Sequence, residues 1–181
     1  MDLTAIKRII KKIACLVSVL GLVLLLCASC TASSSTTGTG TSATKFSAAV
    51  EPASRKVKAG DTFTFDVVIN TEIPSRGAQC TLAFDPAIAE CTGLTEGYFY
   101  KNWAADNGCS TTILPDPLAI DNTNGRVAST GVAVWGAAPG GVTGKGILFT
   151  YHFTAVANGT LSPVLSDVHL SDESGNDVEN K

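Results

Sequence analysis

The feature that most constrains the fold is an alternation of apolar and polar residues, broken only at Val68, in the stretch TFTFDVVIN, residues 62–70. Successive side chains on a β-strand point to opposite faces, so Phe63, Phe65 and Val67 would share one face of a strand. Short runs of similar character recur at 46–50, 77–84, 88–94, 126–135, 146–156 and 162–172. Such runs, separated by turn signals, predict an all-β fold, an antiparallel β-sandwich.

One stretch does not follow this pattern. Residues 97–120 contain several aromatic residues and two prolines, and we expect a long loop with one irregular strand there. No segment apart from the N-terminal signal shows a sustained helical period, so the signal is the only helix that the sequence predicts.

The first thirty residues have a different composition from the rest. Four basic residues within 7–12 precede an apolar run at 13–28, which describes a secretory signal peptide. The run ends in small residues before Cys30, and in this it resembles a bacterial lipoprotein signal, which makes Cys30 the expected lipidation site. Cleavage near Ala32 without lipidation and retention as an uncleaved membrane anchor are the alternatives. All three predict export, with the domain at the outer face of a bacterial membrane.

The remainder divides into a tether and a domain. Residues 31–44 contain only Thr, Ser, Ala and Gly and are predicted to form a disordered tether, followed by one domain at 45–181. The chain has 13 basic and 16 acidic residues, of which 1–30 hold four and one, so 9 − 15 leaves a net charge of −6. Because nucleic-acid binding depends on Lys and Arg neutralising phosphates, this charge argues against a nucleic-acid partner.

Three cysteines lie in the predicted domain. Cys80 falls on the apolar parity of its strand and is expected to be buried. Cys91 and Cys109 flank a loop and could form a disulfide in an exported protein; the alternative is that both stay reduced. The chain has no C-x-x-C pair and its two histidines are far apart, so no metal site is predicted, and no cofactor is expected.

Two motifs, taken in order, resemble a cohesin domain. The more specific is GAQCTLAFDP at 77–86, and the second is GKGILF at 144–149; the likeness extends from about residue 46 to 177. The resemblance implies a jelly-roll sandwich of about eight to nine strands. It also implies a non-catalytic module that binds a protein partner, in this family the dockerin modules of secreted enzymes. Family domains end with a further strand, for which this chain has no apolar run.

The resemblance places the partner on one sheet face that includes the strand at 77–84. It implies partner contacts from Gln79, Thr81 and Ala83. Cys80, Leu82 and Phe84 would then face the core. Dockerin-binding relatives carry Asn and Asp at the places of Gln79 and Thr81, so Thr81 lacks the carboxylate used there. Thr150 and His152 lie on the outward parity of their strand and are assigned to the same partner sheet; the alternative for His152 is a solvated strand residue.

The aromatic residues of the 97–120 stretch suggest a second function. Tyr98, Tyr100 and Trp103 could form a stacking platform for a polysaccharide, or they could pack under the loop as part of a core. Motifs typical of nucleophilic, metal-dependent or phosphate-binding catalysis are missing from the sequence, so no catalytic residues are predicted and an enzyme is not expected.

Overall fold

The computed structural model describes residues 45–178. By its contacts the chain separates into two units, Met1–Gly40 and Thr41–Lys181, and every described residue belongs to the second. The predictions made for the signal peptide, for Cys30 and for the tether at 31–44 lie outside the described residues, and so do residues 179–181.

Ten strands and one helix make up the described part of the chain. In order they are β1 Phe46–Glu51, β2 Arg55–Val57, β3 Thr62–Ala83, β4 Ala89–Glu96, α1 Tyr98–Asp106, β5 Ser110–Leu114, β6 Ile120–Asp121, β7 Arg126–Trp135, β8 Val142–Ala155, β9 Gly159–Leu161 and β10 Val164–Asp172. All strand pairings are antiparallel, so the all-β prediction is confirmed.

The long strand β3 belongs to both layers of the sandwich. Its first half, up to about Thr71, pairs with β1 on one side and with β8 on the other, and β8 in turn pairs with β4. We call β1-β3-β8-β4 the first sheet. Its second half, from Ser75 to Ala83, pairs with β10 and β7, and β7 also pairs with β5 and β6. We call β10-β3-β7-β5 the second sheet.

Side chains from the two sheets meet in a core rich in aromatic residues. Phe153 of β8 lies 5.7 Å from Phe63 and 5.9 Å from Phe65, centroid to centroid, and 5.2 Å from Phe84 at the end of β3. Cys80 of the second sheet is buried, with its Sγ 4.0 Å from the hydroxyl of Tyr151 in the first sheet. The inward parity predicted for Cys80 and for the alternating phenylalanines is therefore confirmed.

The structure corrects the prediction for residues 97–120, because a nine-residue helix, α1, occupies the first part of the expected loop. Phe99, Tyr100 and Ala104 are its buried residues, and it packs on β8 and β5. Gly97 lies just before it, where a Cβ would be 2.1 Å from the carbonyl oxygen of Ile147. The helix has only nine residues, too few for its period to stand out among aromatic residues that also favour strands. The irregular strand is present as β5.

A separate two-stranded sheet was not predicted either. β2 pairs with β9, and each contributes three residues. Strands this short carry no alternation that sequence inspection can detect, so only the folded chain reveals them.

Candidate docking surface

The outer face of the second sheet is the main candidate for a binding surface. Directly paired residues on neighbouring strands share a face, so the registers of β10, β3, β7 and β5 define its members. We call this surface the docking face. It comprises Gly77, Gln79, Thr81, Ala83, Ser110, Thr112, Leu114, Arg126, Gly131, Ala133, Trp135, Val164, Ser166, His169 and Ser171.

The docking face combines a centre of small side chains with exposed apolar residues at its margins. Leu114, Trp135 and Val164 are 47%, 59% and 63% exposed, and they are three of the five large exposed hydrophobic residues in the described part of the chain. Gly131 and Ala133, on β7, have small side chains or none, so they project little from the middle of the sheet. Large hydrophobic residues left exposed on one face are a feature of interaction surfaces.

Gln79 and Ala83 lie on the docking face, as expected. Gln79 is half-buried, paired with His169 on one side and with Gly131 on the other, while Ala83 is exposed next to Val164. Their side chains are accessible to a partner from the same side of the sheet.

Thr81 requires a correction. It points to the outer side but is only 1% exposed, and its Oγ1 accepts a hydrogen bond from the backbone N–H of Ser129 at 3.1 Å. Irregular pairing on both sides of β3 produces this burial, because β7 and β10 each shift register next to Thr81. At these shifts, Ser129 of β7 and Asp167 of β10 have φ of 49° and 50°. Thr81 therefore supports the backbone of the bulge in β7 and does not present its hydroxyl to a partner.

The prediction that Thr150 and His152 share a face with Gln79 is also corrected, because both residues belong to the first sheet. The Thr150 hydroxyl donates to Asp66 Oδ1 at 2.7 Å, and His152 Nε2 lies 2.7 Å from Thr95 Oγ1. Both side chains point outward, as their parity predicts. They lie on the first sheet, however, and the docking face belongs to the second sheet. The five residues assigned to one partner face therefore divide between two faces.

Leu114, Trp135 and Val164 were not predicted as contact residues. Leu114 falls in the stretch expected to be mostly loop, and the run of apolar residues before Trp135 hides the parity of β7. Val164 follows a proline at the start of β10, where no alternation has begun. Only strand pairing shows that the three share one surface.

Arg76 holds the loop that follows Trp135. Its guanidinium and Nε donate hydrogen bonds to three backbone carbonyls of the loop, those of Gly136 at 3.1 Å, Ala138, and Gly140 at 2.8 Å. The same guanidinium lies 5.1 Å from the ring centroid of Trp103, a cation–π contact. Charged donors to carbonyls are among the stronger hydrogen bonds, so this loop is fixed at the edge of the docking face.

The predicted aromatic platform does not form. Tyr100 is buried and its hydroxyl lies 2.9 Å from Ser75 Oγ, while Tyr98 is about half exposed at the first position of α1. Trp103 is half-buried under Arg76. Burial raises the pKa of the Tyr100 hydroxyl, with a smaller opposing effect from the Ser75 hydrogen bond. The core alternative holds for Tyr100, and no sugar-stacking surface is assembled from the three.

The predicted disulfide is absent as well. Cys91 and Cys109 are both free thiols: Cys91 Sγ lies 3.6 Å from the carbonyl oxygen of Gly93, and Cys109 Sγ lies 3.7 Å from that of Asn107. Burial raises the pKa of the Cys91 thiol and, more strongly, that of Cys80, to about 11. Because the thiolate is the reactive form, we expect both buried cysteines to react slowly.

When a fragment of residues 41–181 is unfolded in guanidinium without reductant, we expect a thiol-specific reagent to detect three free thiols. In the native fragment at pH 8, Cys109, which is half-buried, should react well before Cys80 and Cys91, because their raised pKa values and burial limit thiolate formation. A Cys109→Ser control should remove the fast phase. One titratable thiol in the unfolded fragment would instead reveal a disulfide.

Across 45–178, no group of three or more His, Cys, Asp or Glu side chains is arranged to hold a metal ion. Within the same range, no helix is long and apolar enough to cross a membrane.

Comparison with known proteins identifies the fold. No protein-family model matches the sequence, and no curated protein matches it significantly. Solved structures do match, and among them are several cohesins from Acetivibrio cellulolyticus. An interface mutant of a type II cohesin-X-dockerin complex is 12% identical over 76% of this chain and 92% of that chain, with a TM-score of 0.55. A type II cohesin domain of the cellulosome is 14% identical over 75% and 87%, with a TM-score of 0.53.

A third similar structure is the sixth cohesin of scaffoldin B in complex with a mutant Cel5 dockerin. It is 14% identical over 76% of this chain and 94% of that chain, with a TM-score of 0.51. The described domain is thus a β-sandwich with the cohesin fold, and the resemblance inferred from 77–86 and 144–149 is confirmed at the level of the fold.

Proposed function

We propose that this domain is a non-catalytic docking module that binds a protein partner through the docking face. The observation that carries the proposal is that three of the five exposed large hydrophobic residues of the described part of the chain, Leu114, Trp135 and Val164, lie on one sheet face. Two of the similar cohesin structures were solved in complexes with dockerins, which supports a protein as the partner and a dockerin-bearing protein as the first to test.

Recognition would rest on apolar contact more than on charge. The position at which dockerin-binding relatives carry a carboxylate is Thr81, which is uncharged and buried. Apolar surface removed from water contributes about 25 cal/mol per Å², so three well-covered hydrophobic side chains would supply several kcal/mol in a standard interface.

Val164→Asp is expected to abolish partner capture without unfolding the domain. Val164 is 63% exposed on the docking face, so an aspartate there places an unpaired charge in the interface, and binding should weaken at least about tenfold. The measurement is a pull-down with residues 41–181 from the secreted fraction of the producing cell. The captured protein is then purified and titrated against each variant by calorimetry.

Val156→Asp is the matched control, because Val156 is another exposed valine, 46% exposed, that follows the end of β8 outside the docking face. It should bind as the unmodified domain does. Equal binding by the Val164 variant and the unmodified domain would contradict the proposal, as would equal losses in both variants.

We also propose that the module acts outside the cytoplasm, anchored by lipid at Cys30 and separated from the membrane by the tether at 31–44. The support is the sequence of the first thirty residues, with its basic flank, apolar run and small residues before a cysteine. Incorporation of a labelled fatty acid into the chain would test it.

A further inference from the structure

The two-stranded sheet of β2 and β9 has an outer face unlike the docking face. Lys56 pairs with Thr160, so their side chains share a side of this sheet, and Lys58 and Asn158 follow beyond the last pair. On the inner side, Val57 and Leu161 are buried in the core. The outer side borders an open groove of about 820 Å³ whose lining includes all four polar residues.

Positive charge is concentrated at this groove in a domain that is otherwise acidic. Residues 45–178 contain 8 basic and 14 acidic side chains, so their net charge is 8 − 14 = −6, yet two of the eight basic residues, Lys56 and Lys58, line this groove. The ion pairs of the described residues use Arg126, Lys145 and His169, and none involves Lys56 or Lys58. Both lysines are exposed, so their charge is available to a ligand.

The other polar groups of the groove add mainly hydrogen-bond donors. Asn158 Oδ1 accepts from the backbone N–H of Ala59 at 3.0 Å, which turns the amide so that its NH₂ is left for a ligand. The Thr160 hydroxyl also lines the groove. The one carboxylate, Asp61, has an oxygen that accepts from the backbone N–H of Lys58 at 2.8 Å. The groove therefore offers two ammonium groups, an amide and a hydroxyl against one carboxylate.

We propose that this groove binds an acidic polysaccharide, a polymer whose sugars carry carboxylates. The two lysines would pair with uronate groups, while Asn158, Thr160 and Asp61 would bond to sugar hydroxyls. Its volume falls in the range of ligand sites, about 300–1,000 Å³. The lining holds no exposed large hydrophobic residue of the kind that inserts into a lipid surface, so a polysaccharide fits better than a membrane. This site is independent of the docking face.

The test uses residues 41–181, the unit that contains the complete core described above. Binding to polygalacturonate is compared with binding to the same polymer after full methyl esterification, which removes the charge but keeps the sugar backbone. The variant Lys56→Gln/Lys58→Gln is measured beside Lys45→Gln/Lys101→Gln, which removes the same charge from two exposed lysines elsewhere. Sedimentation with phosphatidylglycerol vesicles forms a separate arm, and thermal unfolding of both variants checks the fold.

The acidic polymer should bind in a salt-sensitive manner and the esterified polymer should not. The groove variant should bind about tenfold more weakly or worse, and the control variant within about twofold of the unmodified domain. Equal losses in both variants, equal binding of the esterified polymer, or binding to vesicles alone would overturn the proposal. So would failure to bind the acidic polymer at all. Val164→Asp should leave this binding unchanged, which separates the outcome from that of the docking face.

Discussion

Phe153→Ala should destabilise the domain by about 3–5 kcal/mol, the largest effect that we expect from a single truncation. Phe153 is 1% exposed, and its ring contacts those of Phe63, Phe65 and Phe84. Removing it leaves a cavity between the two sheets that rigid strands cannot close, and it also deletes the aromatic contacts that connect the layers. Guanidinium unfolding of residues 41–181 measures the loss.

Tyr98→Ala is the matched control for that truncation. It also removes an aromatic ring, but from a residue that is about half exposed at the start of α1, so the loss should stay below about 1 kcal/mol. Similar midpoints for the two variants would show that Phe153 does not hold the sheets together in the way its contacts indicate.

Gly125→Ala is the second variant for which we expect a large effect, about 2–4 kcal/mol of destabilisation. Gly125 has φ of +64°, and a Cβ added there would lie 2.1 Å from the carbonyl oxygen of Phe84 and 2.6 Å from Cδ of Pro86. The backbone N–H of Phe84 also donates to the Gly125 carbonyl at 2.8 Å, so the two segments cannot separate without losing a hydrogen bond.

Gly108→Ala separates the two sources of this cost. Gly108 has φ of +63°, nearly the same, but an added Cβ would meet no atom within 4 Å. Its variant should therefore lose only the left-handed backbone penalty, about 1 kcal/mol. If chemical denaturation shows equal losses for both glycines, the close approach of Phe84 does not contribute.

Much of the fold was predictable because alternation is a local property of a strand. The inward residues of β3 and β8 could be read directly, since a two-residue period does not depend on which strand becomes the neighbour. The helix α1 and the β2–β9 pair were missed because both are too short for their period to be detected, and long-range packing on β8 and pairing across about a hundred residues stabilise them instead.

For the candidate sites, too, local alternation was predictable and long-range pairing was not. Parity correctly placed Gln79 and Ala83 on an outer face and Cys80 in the core, but parity cannot say which outer face a residue occupies. Thr150 and His152 point outward, as predicted, yet they lie on the first sheet. Thr81 is outward and still buried, because bulges in β7 and β10 close over it.

What the sequence alone determined is therefore the class of fold, the inward side of each long strand, the acidic charge of the domain, and the motifs at 77–86 and 144–149 that resemble cohesins. Only the tertiary structure decided which surfaces exist. It brought Leu114, Trp135 and Val164 from three strands to one face and collected the lysines of β2 beside Asn158 and Thr160. Strand order and register decide such groupings, and both depend on contacts between residues that are distant in the chain.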